Sequence, residues 1–131
     1  MQHIVITGAS TGIGAATAKD LAHGNTIYVH YNSSKNEAEA VAKEVETAGG
    51  TPVLIQANLA TDAGCGKLAE EVKAHTDTLD VLVNNAGDLL ERHTLEGTTW
   101  DIATRTFELN VFSVMRVTAL LLPLLKKAEK A

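Results

Sequence analysis

The 131 residues predict an α/β protein whose parallel sheet is covered by helices on both faces. Three observations predict it. Short β-branched runs alternate along the chain with segments of helical period. The strands read as continuous apolar runs rather than as in–out alternation, the mark of strands buried on both faces. Glycines fall where helices and strands should meet, at Gly8, Gly12, Gly14, Gly24, Gly49 and Gly50.

The elements follow in order. His3-Ile4-Val5-Ile6 is the first strand. Gly12 to His23 is Ala-rich and helical in period, with Gly24 as its stop signal. Thr26 to His30 is the second strand. Lys35 to Ala48 is amphipathic, with Ala38, Val41, Ala42 and Val45 on one face, and Gly49-Gly50 ends it. Pro52 to Gln56 is the third strand. A helix from Asp62, its expected cap, runs to about Ala74 with Leu68, Ala69 and Val72 inward. Val81-Leu82-Val83 is the fourth strand. Asp88 to about Thr98 is a polar loop, and a long helix covers about Thr99 to Lys127. Right-handed crossovers then give one domain over 1–131, a four-stranded sheet of order 3-2-1-4. The fourth strand is left with an open edge.

Composition narrows the function classes. The chain is 45% hydrophobic and 21% charged, as globular proteins are, and its net charge is −5 without a basic stripe. Nucleic acid and anionic membrane surfaces are therefore not expected partners. A bound phosphate has to be held by local geometry. Cys65 is the single cysteine, so no internal disulfide or zinc site is expected, and a cytoplasmic setting fits. The five histidines have no i,i+4 pair, and no metal is expected. The apolar stretch Val117–Leu125, interrupted by Thr118 and Pro123, is too short by itself to cross a bilayer. From Val111 to Leu125 the last helix is apolar almost all round, which predicts a second covered surface and a homo-oligomer. Trp100 and Phe107 are expected to pack in the core.

The stretch TGASTGIG at 7–14 joins the first strand to the first helix. A helix N-terminus carries unpaired N–H groups and partial positive charge, which suits a phosphate. Gly8 permits a tight reversal, Gly12 removes a side chain where a pyrophosphate approaches the backbone, and Gly14 lets the helix pack closely. Ser10 and Thr11 offer hydroxyls. No P-loop lysine is present, and the spacing is Gly-x3-Gly-x-Gly. At the end of the second strand stands Tyr31-Asn32-Ser33-Ser34-Lys35, with no carboxylate before Glu37. An acid there would grip ribose hydroxyls and repel a 2′-phosphate. Its absence favours NADP, with NAD as the alternative, although Asn-Ser-Ser also reads as a turn with Ser34 as a helix cap.

TGASTGIG, NNAG at 84–87, and Asn110 ahead of a helix ending LLPLLKK resemble the short-chain dehydrogenase/reductase family, in order and from residue 2 onward. The resemblance implies a Rossmann-like, doubly wound fold that moves hydride between NAD(P) and an alcohol or carbonyl. It places Gly8, Ser10, Thr11, Gly12, Ile13 and Gly14 along the pyrophosphate and adenosine, and Tyr31 where NAD-preferring members carry the acid. Asn58-Leu59 falls beside the adenine, with Asn58 in place of the usual Asp. Asn85, Ala86 and Gly87 flank the adenosine ribose. Asn110 matches the helix asparagine that helps hold a proton-relay water, and it is the only catalytic candidate.

The family's Ser and Tyr-x-x-x-Lys lie on and after a fifth strand, which should begin near Ala131. The tyrosines here are Tyr28 and Tyr31. Tyr31 and Lys35 have the right spacing but stand on the ribose side, far from a nicotinamide. The expected function is the NADP-binding portion of such an oxidoreductase, with little or no turnover alone. A subunit completed by another chain through strand four and the final helix, or a non-catalytic oligomeric scaffold, are the alternatives.

Overall fold

A computed structural model describes residues 1–131. In chain order the elements are β1 (His3–Ile6), α1 (Gly12–Asp20), β2 (Thr26–Tyr31), α2 (Lys35–Thr47), β3 (Thr51–Gln56), α3 (Asp62–His75), β4 (Val81–Val83), α4 (Trp100–Phe107), a π-helical turn (Glu108–Phe112) and α5 (Ser113–Leu125). The sheet has the expected order β3-β2-β1-β4, and every pairing is parallel.

Side chains alternate across the sheet at every residue, and both faces are covered. Ile4, Ile6, Ile27 and Val29 point to α1 and α2, where they meet Ala15, Ala18, Val41 and Val45. Val5, Tyr28 and Ile55 point the other way, into a core with Leu68 and Val72 of α3 and Val117, Leu121 and Leu124 of α5. This explains the unbroken apolar runs of β1 and β2. Burying one such aliphatic side chain contributes roughly 1.5–3 kcal/mol. β4 pairs with β1 alone, so its outer edge is unpaired as expected.

Several boundaries differ from the sequence reading. α1 stops at Asp20, three residues early. Leu21 N makes the last i→i−4 bond, to Thr17 O, Ala22 N tightens onto Lys19 O, and the Asn25 side chain takes Leu21 O. Gly24, at φ 72°, serves the turn into β2 rather than the helix end. β2 continues through Tyr31, which registers with Gln56. The cap of α3 is Thr61, whose hydroxyl accepts from Gly64 N at 3.0 Å. Asp62 lies in the first turn and pairs with Arg116 at 2.6 Å. Ser34 occupies the N-cap position of α2 without a side-chain cap bond.

The long helix runs from Trp100 to Leu125 with the π-turn inside it. At 26 residues and a mean hydropathy of 1.5 it is long and apolar enough to cross a membrane, a correction to the reading from Val117–Leu125 alone. Its Val117, Leu121 and Leu124 side is nonetheless packed on α3 and buried. Trp100 and Phe107 do not join the core. Trp100 is 88% exposed and Phe107 53% exposed, because that side of α4 meets no other element of the chain.

Candidate functional site

The glycine turn is built from the end of β1 outward. Thr7 is buried, and its hydroxyl donates to Val83 O while accepting from the N–H groups of Asn85 and Ala86 at 3.0 and 2.9 Å. The Asn85 side chain returns the bond, donating to Thr7 O and Gly8 O at 3.0 Å each. TGAS and NNAG thus form one hydrogen-bonded unit across β1 and β4. Gly8, at φ 64°, reverses the chain there. Gly14 has no room for a side chain: a Cβ would fall 2.2 Å from Gly8 O and 2.5 Å from Asn85 Nδ2. Gly12 is the opposite case. It has φ 57°, and a Cβ would meet nothing within 4 Å.

α1 therefore starts close against the turn with its mouth open. Thr11 is the N-cap residue, but its hydroxyl does not fold back onto the first turn. The amides of Gly12, Ile13 and Gly14 precede any i→i−4 partner, and Ala15 N is the first to bond back, to Thr11 O at 3.2 Å. Ile13 stands 79% exposed at that mouth.

The mouth opens on a cleft of about 350 Å³. Gly8, Ser10 and Thr11 form one wall. Tyr31, Asn32, Ser33 and Ser34 form the β2 end, Asn58 and Leu59 the β3 end, and Ala86 and Gly87 the β4 end, with Asp88 and Leu109 beside them. These residues lie far apart in sequence and meet because all four parallel strands end on the same side. Two larger hollows, of about 470 and 460 Å³, lie along the long helix and contain none of the glycine-turn residues.

Polar contacts refine the individual assignments. Asn58 turns its Oδ1 onto its own loop, accepting from Ala60 N at 3.1 Å, so only its Nδ2 faces outward unused. Leu59 is buried in the α3 core and contributes to the cleft at its base. Asn32 receives the Gln56 amide at its backbone oxygen. The Ser33 and Ser34 side chains make no internal hydrogen bond, whereas Lys35 leans on Glu39 at 3.8 Å and does not line the cleft. No lysine or arginine does. Any phosphate there is held by amides and hydroxyls. Asn110 sits in the π-turn behind the cleft. Its Nδ2 donates to Asp88 O and to Thr106 O, the carbonyl that an α-helical Asn110 N–H would take. Its Oδ1 accepts from Asp88 N at 3.0 Å. Asn110 fixes the chain that follows NNAG, and a Cβ at Gly87 would reach Asn110 Oδ1 at 2.7 Å and push on that amide.

His30 belongs to this site and was not singled out from the sequence. Its ring is buried between the turn and β3: Gly8 N donates to Nδ1 and Nε2 bonds Ala57 O, both at 2.9 Å. Burial pushes the imidazole below its ordinary 6.5, outweighing the upward pull of the Ala57 bond. The strand order held the signal, since adjacency of β1 and β2 puts residue 30 beside residue 8.

Comparisons with known proteins agree with this geometry. Residues 2–131 match the short chain dehydrogenase family model. An oxidoreductase of Methylorubrum extorquens is 41% identical over 115 residues, which cover 87% of this chain and 46% of that protein. The crystal structure of an NADH-dependent reductase responsible for alginate metabolism superposes with a TM-score of 0.88 at 31% identity, over 94% of this chain and 50% of that one. A landomycin C-6 ketoreductase with bound NADP and rabelomycin gives 0.86 at 30% identity, over 95% and 53%. The chain spans about half the length of these relatives. Members of the family bind NAD or NADP. With its open helix mouth, its NNAG clamp and its strand order, the chain belongs to the short-chain dehydrogenase family.

Proposed function

We propose that residues 1–131 form the dinucleotide-binding portion of a short-chain oxidoreductase, with NADP preferred over NAD. The carrying observation is the mouth of α1. Its N-cap residue Thr11 lines the cleft with its hydroxyl unused, and Gly12, next to that wall but outside the lining, leaves open space where a pyrophosphate would approach. The NADP preference is supported at the β2 end, where Tyr31 replaces an acid and the Ser33 and Ser34 hydroxyls are unengaged. A carboxylate there would repel a 2′-phosphate; hydroxyls and amides can donate to one.

In this reading Gly8 and Gly12 shape the turn, the amides of α1 hold the bridging phosphates, and Asn85 keeps turn and β4 in register. Asn110 positions Asp88 and the chain after NNAG, and its role in a proton-relay water is part of the proposal. When bound, the dinucleotide supplies the hydride-transfer chemistry. The roles assigned to these residues are binding and orienting the cofactor, and none of them is assigned as the proton donor. Calorimetric titration with NADP, NAD and 2′,5′-ADP tests the reading. Tighter binding of NADP than NAD is expected, with 2′,5′-ADP retaining much of the affinity. Absence of heat with all three at millimolar concentration would reject it.

A second observation supports association with another chain. Phe107, Phe112 and Met115 are 53%, 53% and 67% exposed along one long helix, and β4 has a free edge. We infer that this side is an interface, filled by a second copy or by a chain that completes the sheet. Sedimentation over a range of concentrations tests the first occupant. Co-expression with a fragment carrying the later strands tests the second.

A further inference from the structure

We propose that His30 is a positioning residue for the dinucleotide site: its neutral ring locks the glycine turn to the end of β3, and protonation of the ring loosens dinucleotide binding. The inference rests on the reading of the cleft as a dinucleotide site. Both ring nitrogens are committed. Gly8 N is a donor, so Nδ1 must accept; Ala57 O is an acceptor, so Nε2 must carry the hydrogen. One tautomer satisfies both bonds. A proton added to Nδ1 sets N–H against N–H and orphans the Gly8 amide, at the residue whose positive φ makes the turn.

The backbone adds to the lock, since Ala9 N donates to His30 O at 2.9 Å. One strand-end residue therefore holds two successive residues of the phosphate-binding turn. His30 is 3% exposed yet belongs to the cleft lining. The Ala57 carbonyl favours a charged ring, but burial outweighs it. The glycine turn and residues 57–61 carry no ionisable side chain. Tyr31 and Asp88 share the cleft, and Asp62 and Glu108 stand on the flanking ends of α3 and the π-turn. None of them bonds the ring, and Asp62 is paired with Arg116. Burial, which keeps the ring neutral to lower pH than usual, is consistent with this arrangement.

The test compares wild type with H30N and H30F by calorimetric titration of NADP between pH 8 and pH 5.5, with circular dichroism confirming the fold at each pH. In H30N an amide oxygen can take the Gly8 N–H but cannot titrate in this range. Titration of the nucleotide's own 2′-phosphate affects all three proteins alike, so it cancels in their ratio. At pH 8, H30N is expected within about threefold of wild type and H30F about tenfold weaker, the loss of one satisfied buried donor. On acidification, wild-type affinity should fall progressively relative to H30N, by less than the roughly tenfold that an imidazole of ordinary 6.5 would give at pH 5.5, because burial delays the uptake of the proton. The Gly8 amide resonance should move with pH in wild type and stay fixed in H30N. Equal pH profiles for wild type and H30N, or tighter wild-type binding at low pH, would overturn the role of His30. If H30F fails to fold, the H30N comparison still decides. Failure of NADP to bind any of the proteins at pH 8 would overturn the underlying site reading instead.

Discussion

The strand-end cleft and the long helix are opposites in how their groups are satisfied. At the cleft, the buried polar side chains Thr7 and His30 and the adjoining Asn85 are bonded to backbone of a neighbouring strand end. No buried side-chain nitrogen or oxygen is left without a partner. Along the long helix, Phe107, Phe112 and Met115 make an apolar surface that this chain does not cover. The first region is finished internally and leaves open a helix mouth and a few polar groups at the strand ends. The second is finished on its α3 side alone. A polar network defines a shape before any ligand arrives, whereas an exposed apolar face is defined by what covers it.

Substitutions can break this contrast, and the largest effect belongs to Gly14. In Gly14→Ala the new Cβ would overlap the Gly8 carbonyl and the Asn85 amide, both held by other bonds. A loss of about 3 kcal/mol or more in urea unfolding is expected, with nucleotide binding abolished. Thr7→Val keeps the shape and removes the oxygen that accepts from Asn85 N and Ala86 N. Stranding those two donors should cost about 2–4 kcal/mol by the same measurement.

Gly12→Ala separates binding from stability. The space is open, so the cost is the strain of a positive φ, about 1–2 kcal/mol. Affinity for NADP should fall about tenfold or more, because the methyl occupies the approach to the turn. A Gly12 variant that binds normally would remove Gly12 from the site.

His30 predicts a pH effect on folding as well as on binding. Its folded-state affinity for protons is depressed, so the unfolded chain takes up the proton first. The stability it contributes is present above about pH 6.5 and is lost progressively as pH falls from there through the lower folded-state value. Denaturation midpoints of wild type and H30N should diverge in that window and run parallel above it. The smallest effect on folding is expected from Met115→Lys on the exposed helix face, within about 0.5 kcal/mol. The same change should lower the sedimentation coefficient if the face is an interface between copies. An unchanged coefficient would remove Met115 from that interface.

Local chemistry made much of the molecule legible. Strand runs, helix periods and glycine stops placed all four strands, and the strand order followed from crossover handedness. Gly8, Gly12 and Gly14 could each be given a different structural reason before any coordinates, because backbone freedom and missing side chains are properties of single residues. The misplacements were of another kind. Thr61 caps α3 instead of Asp62, and Trp100 lies at the surface. Each depended on which of two neighbours reached a partner, or on whether another element arrived to cover a side chain.

The chain's order of residue types by itself determined the layers, the turn and the place where strand ends converge, since these follow from periodicity, handedness and glycine. Only the tertiary structure decided that Thr7 and Asn85 bind the turn to β4, that Asn110 holds Asp88, and that His30 accepts from Gly8. Hydrogen bonds between residues 22 to 79 positions apart exist only when packing brings a donor and an acceptor within about 3 Å, and no local pattern encodes that approach.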